Sequence, residues 1–103
     1  MRPDLRWRPR ARLDLLEIYE VIALDKPLAA EKWLTKIEER VRMLVEHPRL
    51  GMRRQALETS ARVLTAGNYL IVYRTYPDTD GEAIDEIEIV RVLPGQRDLS
   101  RGI

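Results

Sequence analysis

The chain has 103 residues, no cysteine, one histidine and a formal net charge of +1, the size of one domain, residues 1–103, with a core of its own. The lack of cysteine excludes disulfides and thiolate metal sites and fits a reducing cytoplasm, while the near-neutral balance argues against a general nucleic-acid binder. Arginines at 2, 6, 8, 10 and 12 break up any leader-like segment, and no uncharged stretch reaches the roughly 20 residues that span a bilayer, so no membrane contact is expected.

Leu5 to Arg8 alternates apolar and charged residues, as a short edge strand does, and Pro9 ends it. Arg10 to Leu24 has helical periodicity with Leu15, Ile18, Tyr19 and Ile22 on one face. Asp25-Lys26-Pro27 breaks that helix and begins another, because proline in a first turn gives up only an N–H that has no partner there. Ala30, Trp33, Ile37, Val41 and Leu44 form the apolar stripe of the second helix, which stops at His47-Pro48. The short break implies a helical hairpin, and Trp33 is expected to anchor it to a sheet.

Residues 49–61 read as loop, with any strand content left open. Arg62 to Thr65 is a short strand, Ala66-Gly67-Asn68 a tight turn, and Tyr69 to Tyr76 a central strand with a final strand over roughly Asp85 to Leu93. The order is β-α-α-β-β-β. This is an α+β fold, a small antiparallel sheet packed against an N-terminal helical hairpin, since each helix has one apolar stripe that a sheet could bury.

Charge is unevenly placed. Asp78, Asp80, Glu82, Asp85, Glu86 and Glu88 form an acidic stretch, whereas the N-terminal strand and residues 49–62 are rich in arginine. Such asymmetry suits an oriented protein partner or an anionic target approached from one side. His47, before a proline at a helix end, reads as a cap on a last-turn carbonyl or as plainly solvent-exposed, with catalysis the functional alternative. The acidic stretch reads as a solvated turn and strand edge, and no cofactor or metal is expected. Gly51, Gly67 and Gly95 serve turns, because none opens a glycine-rich strand-to-helix loop.

Along the central strand Tyr69, Ile71 and Tyr73 share one face, and Leu70, Val72 and Arg74 the other. Core packing is the plain reading of the tyrosines and base stacking the functional alternative. Arg62, Arg74, Arg91 and Arg97, with Tyr73, are the candidate target- or partner-binding residues, although the acidic stretch could neutralise some of these arginines.

The chain resembles the ParE branch of the ParE/RelE superfamily of bacterial toxins. The resemblance is carried by Ala11 to Tyr19, Pro27-Leu-Ala-Ala30, Ile37 through Leu44 to Pro48, Gly51, Arg62-Val-Leu, Gly67 to Arg74, and Ile89-Val-Arg-Val-Leu-Pro-Gly-Gln-Arg-Asp98. It implies a toxin–antitoxin module: a cognate acidic antitoxin with a flexible tail, a hetero-oligomeric complex, and DNA gyrase as the target. RelE-like members instead cut messenger RNA on the ribosome. Those nucleases generally carry arginine immediately after the residue matching Tyr69, where this chain has Leu70, and histidine is common where it has Pro94. RNA cleavage needs a base for the 2′-hydroxyl, cations for the phosphorane and a leaving-group acid, and leucine supplies none. The expectation is a non-catalytic gyrase inhibitor. The alternatives are a ribosome-dependent endonuclease placing Arg74, Arg91 and Arg97 around a phosphate with Tyr73 orienting a base, and an inactive relative that only binds its antitoxin.

Overall fold

The structure is a computed structural model that describes residues 2–54 and 61–95. Its elements are β1 (Asp4–Trp7), α1 (Pro9–Asp25), α2 (Pro27–Glu46), β2 (Met52–Arg53), β3 (Arg62–Ala66), β4 (Tyr69–Tyr76) and β5 (Glu86–Pro94). Pro9 and Pro27 each open a helix. Lys26 alone separates the two helices, its N–H closing α1 on the Ile22 carbonyl at 2.8 Å. The second helix stops where Pro48 disfavours helical geometry at the residue before it. There the backbone N–H of His47 caps the Met43 carbonyl at 2.8 Å; the cap is main chain, and the exposed imidazole is not its source.

The strands form one sheet in the order β1-β5-β4-β3-β2. The β3–β4 and β4–β5 pairings are antiparallel as expected, and β2 pairs antiparallel with β3, but β1 runs parallel to β5 with Arg6 opposite Glu88, so the sheet is mixed. A short strand, Met52–Arg53, also emerges from the segment read as loop. Gly67 turns β3 into β4 with φ +62°, a left-handed conformation that strains a side-chain-bearing residue.

The helices cover one face, α1 over β5 and α2 over β3. Ala11, Ile37, Val41, Leu44, Leu64, Ile71, Tyr73, Ile87, Ile89 and Val92 fill that interface. Each large aliphatic side chain taken from water contributes roughly 1.5–3 kcal/mol of gross transfer energy. Trp33 meets the edge of Tyr69 with ring centres 5.4 Å apart, which is the helix–sheet anchor the stripe predicted. Trp7, Leu15 and Ile18 are half-buried around this core.

The other face of the sheet buries a smaller cluster, Ala61, Val63, Val72, Val90 and Leu93, with Leu70 against it. Strand β4 alternates between the two clusters as its sequence implies. Strand β5 does not: Ile89 and Val92 both belong to the helix-facing core although three residues apart. A register shift explains it, for Val72 pairs with Arg91 while Tyr73 pairs with Ile89, leaving Val90 as the extra residue of a bulge.

Candidate functional site

Arg91 follows the bulge, opposite Val72 in register. Its Nε–H and a terminal N–H donate to the two oxygens of Asp14 on α1, at 2.7 and 3.1 Å, and the Val92 N–H donates to the same carboxylate at 2.9 Å. Asp14 is only 4% exposed. Ionic hydrogen bonds of this forked kind are the strong ones, and those that Arg91 donates to Asp14 raise its pKa above its ordinary value. Arg10, one helical turn before Asp14, adds an ion pair at 3.4 Å. Above this cluster lies a groove of about 360 Å³ between α1 and the end of β5, lined by Arg10, Glu17, Val21, Tyr69, Arg91 and Pro94 among others.

Beside the groove, α1 presents apolar side chains outward. Leu13, Leu16, Val21 and Leu24 are all exposed, as is Leu28 at the start of α2. The helix is therefore apolar on more than its packed face, whereas α2 turns Glu31, Lys32, Lys36 and Glu39 to solvent.

Arg62 and Tyr73 occupy the opposite end of the core. Arg62 is 6% exposed; it donates to the Gly51 carbonyl at 3.0 Å and to Asp80 Oδ1 at 2.8 Å. Tyr73 is wholly buried. Its hydroxyl donates to the Pro48 carbonyl and accepts the Gly51 N–H, both at 2.8 Å, and burial pushes its pKa up. A ring enclosed this way has no face for a base to stack on. Arg53 pairs with Asp78 and Asp80, and Arg49 donates to the Thr79 and Glu82 carbonyls. The acidic loop between β4 and β5 is thus folded back on Arg49, Arg53 and Arg62, and its aspartates pair with the last two.

On the outer face, β1, β5 and β4 form a polar corner. Glu88, 8% exposed, receives Arg8 at 3.2 Å, Arg6 at 3.5 Å and the Tyr76 hydroxyl at 2.9 Å. Burial pushes the Glu88 carboxyl up, but the hydrogen bonds from Arg8 and Tyr76 and the nearby positive charge hold it below its ordinary value overall. Arg74 lies over the Tyr76 ring with its guanidinium carbon 5.5 Å from the ring centre. Its Nε is buried and has no hydrogen-bond partner.

The five residues singled out from sequence therefore do not share one place. Arg91 belongs to the α1 groove, Arg62 and Tyr73 to the loop anchorage, Arg74 to the outer corner, and Arg97 lies outside the described residues. Leu70 packs in the outer-face apolar cluster opposite Leu93. Among the described residues no group of three or more His, Asp or Glu side chains is placed to hold a metal ion, and no helix is long and apolar enough to cross a membrane. Sequence reading missed Asp14 and Glu88. Asp14 had a signal: it stands three residues after Ala11 and four before Ile18, so it shares the packed face of α1, where a carboxylate demands a partner.

Comparison with known proteins matches residues 5–99 to the family model described as the ParE toxin of type II toxin–antitoxin systems, parDE. Among solved structures, a chromosomal ParDE toxin–antitoxin system from P. aeruginosa is similar, with a TM-score of 0.70 and 26% identity. The alignment covers 89% of this chain and 95% of that one. No curated protein matches.

Proposed function

Because this chain belongs to the ParE toxin family of type II toxin–antitoxin systems, we propose that it is the toxin of such a pair, acting in the cytoplasm by binding and obstructing DNA gyrase. A cognate acidic antitoxin with a flexible tail neutralises it by seating on the α1 groove and its exposed leucines, with Arg10 and Arg91 at the mouth.

The observation that carries the non-catalytic part of this reading is the disposition of Leu70 and Arg91. Leu70 is packed among valines and Leu93, where phosphodiester cleavage would call for a cation. Arg91 is turned to α1 and held by Asp14, while Arg74 follows Leu70 and Val72 on the other face of the sheet. Two of the arginines a nuclease would gather around one phosphate therefore diverge. This supports inhibition by contact and disfavours messenger RNA cleavage.

Induced alone in a bacterial host, the chain should arrest growth. Co-expression of the small acidic protein encoded beside it should restore growth and yield a stable complex on purification. Growth unaffected by the chain alone, with the complex still formed, would instead identify an inactive antitoxin-binding relative.

A further inference from the structure

We propose that Arg74 and Tyr76 form a receptor for a single carboxylate on a protein partner, distinct from the α1 groove. The Arg74 side chain makes no hydrogen bond among the described residues, although other arginines are engaged: Arg6 and Arg8 with Glu88, Arg62 with Asp80 and Arg91 with Asp14. Arg62 has the same orphaned Nε, but its terminal nitrogens are taken by the Gly51 carbonyl and Asp80, whereas those of Arg74 meet no acceptor among the described residues.

The remainder of the side chain is held ready. Its guanidinium rests on the Tyr76 ring at 5.5 Å, within the range of cation–π attraction. That ring cannot swing away, because its hydroxyl is fixed on Glu88 at 2.9 Å and Glu88 is itself fixed by Arg8 and Arg6. Strand β4 is paired on both sides, so the backbone beneath is rigid. With Nε sealed, a ligand must take the two terminal nitrogens, whose spacing and plane match a carboxylate.

The surroundings favour one carboxylate over a nucleic-acid backbone. Glu86 and Glu88 stand on the adjoining strand, with Glu88 directly opposite Arg74 in register, and Arg6 and Arg8 are spent on them. A chain of phosphates would gain one cation here and meet two carboxylates, whereas polyanion binding depends on several released counterions. An isolated aspartate or glutamate needs only the one cation and no further counterion release. This inference deepens the protein-binding reading and takes from it only the class of ligand.

The test follows the Arg74 Nε–H resonance of the full chain by NMR, assigned through its loss in Arg74→Lys. The probes are the blocked peptide acetyl-Glu-Leu-Asp-Leu-Glu-Leu-amide, its Gln/Asn counterpart, inorganic phosphate and a single-stranded RNA hexamer. The acidic peptide should move the resonance saturably and the amide peptide should not. Arg74→Lys, which keeps the charge but loses the fork, and Tyr76→Leu, which loses the stack, should each weaken peptide binding by about fivefold or more. Retained amide dispersion shows that each variant is folded, and Arg74→Gln serves if Tyr76→Leu is not. Equal peptide affinity in Arg74→Lys, a response to RNA or phosphate but not to peptide, or no response to any probe would overturn the proposal. None of these outcomes depends on gyrase or the antitoxin, so a failure here is separable from a failure of the toxin reading.

Discussion

Asp14 and Arg91, 77 positions apart, are joined by two hydrogen bonds, and the same carboxylate takes the Val92 N–H. One side chain of α1 thereby clamps the helix to the bulge of β5. Removing it strands a half-buried guanidinium and a buried amide. Asp14→Ala should cost about 2–4 kcal/mol of stability by urea denaturation. A loss within ~0.5 kcal/mol would mean the clamp contributes little.

Tyr73 closes the other end of the core. Tyr73→Phe keeps the packing but orphans the Gly51 N–H and the Pro48 carbonyl, for an expected loss of about 1–3 kcal/mol. Gly51→Ala should destabilise through a different route, since an added Cβ would stand 2.6 Å from the Tyr73 ring and 2.8 Å from the Val63 carbonyl. Overpacking of that kind costs typically ~1–3 kcal/mol. Chemical denaturation of both variants checks the pair.

These two anchors show what the sequence disclosed and what it withheld. The helices were legible because Pro9, Pro27 and Pro48 punctuate them and Ile37, Val41 and Leu44 keep one face. The alternation of β4 was legible for the same local reason. The parallel docking of β1 on β5 was not, because nothing within Asp4–Trp7 specifies a partner more than 80 residues away. Nor was the bulge, which puts Val92 in place of Arg91 on the helix-facing side with Ile87 and Ile89. Arg62 and Tyr73 drew attention as a cation beside an aromatic, but which surfaces remain open depends on how residues 77–83 fold back. Asp80 and the Gly51 carbonyl claim Arg62 from the inside.

Acid should weaken the outer corner. The folded state holds the Glu88 carboxyl below its ordinary value, so folding favours its ionised form. Its contribution is present above the unfolded glutamate pKa and is lost as pH falls through the lower, folded value. Stability measured by urea denaturation should decline across that acidic interval, and Glu88→Gln should flatten the decline. An unchanged slope in Glu88→Gln would remove Glu88 as the source.

The exposed face of α1 makes a separate prediction about the partner. Leu16 and Leu24 are 54% and 88% exposed, so replacing both with glutamate should leave stability within ~0.5 kcal/mol. Antitoxin affinity, read by calorimetry on the purified pair, should fall about tenfold or more if these leucines lie under the bound segment. Undiminished affinity would move the antitoxin off this helix.

The most direct test of the account is a DNA supercoiling assay with purified gyrase and this chain. Inhibition should set in as the chain approaches the gyrase concentration and should be relieved by the antitoxin, with no cleavage of ribosome-bound message by the same preparation. Full supercoiling at a large excess of the chain, alongside message cut at defined codons and spared by Arg91→Ala, would contradict it.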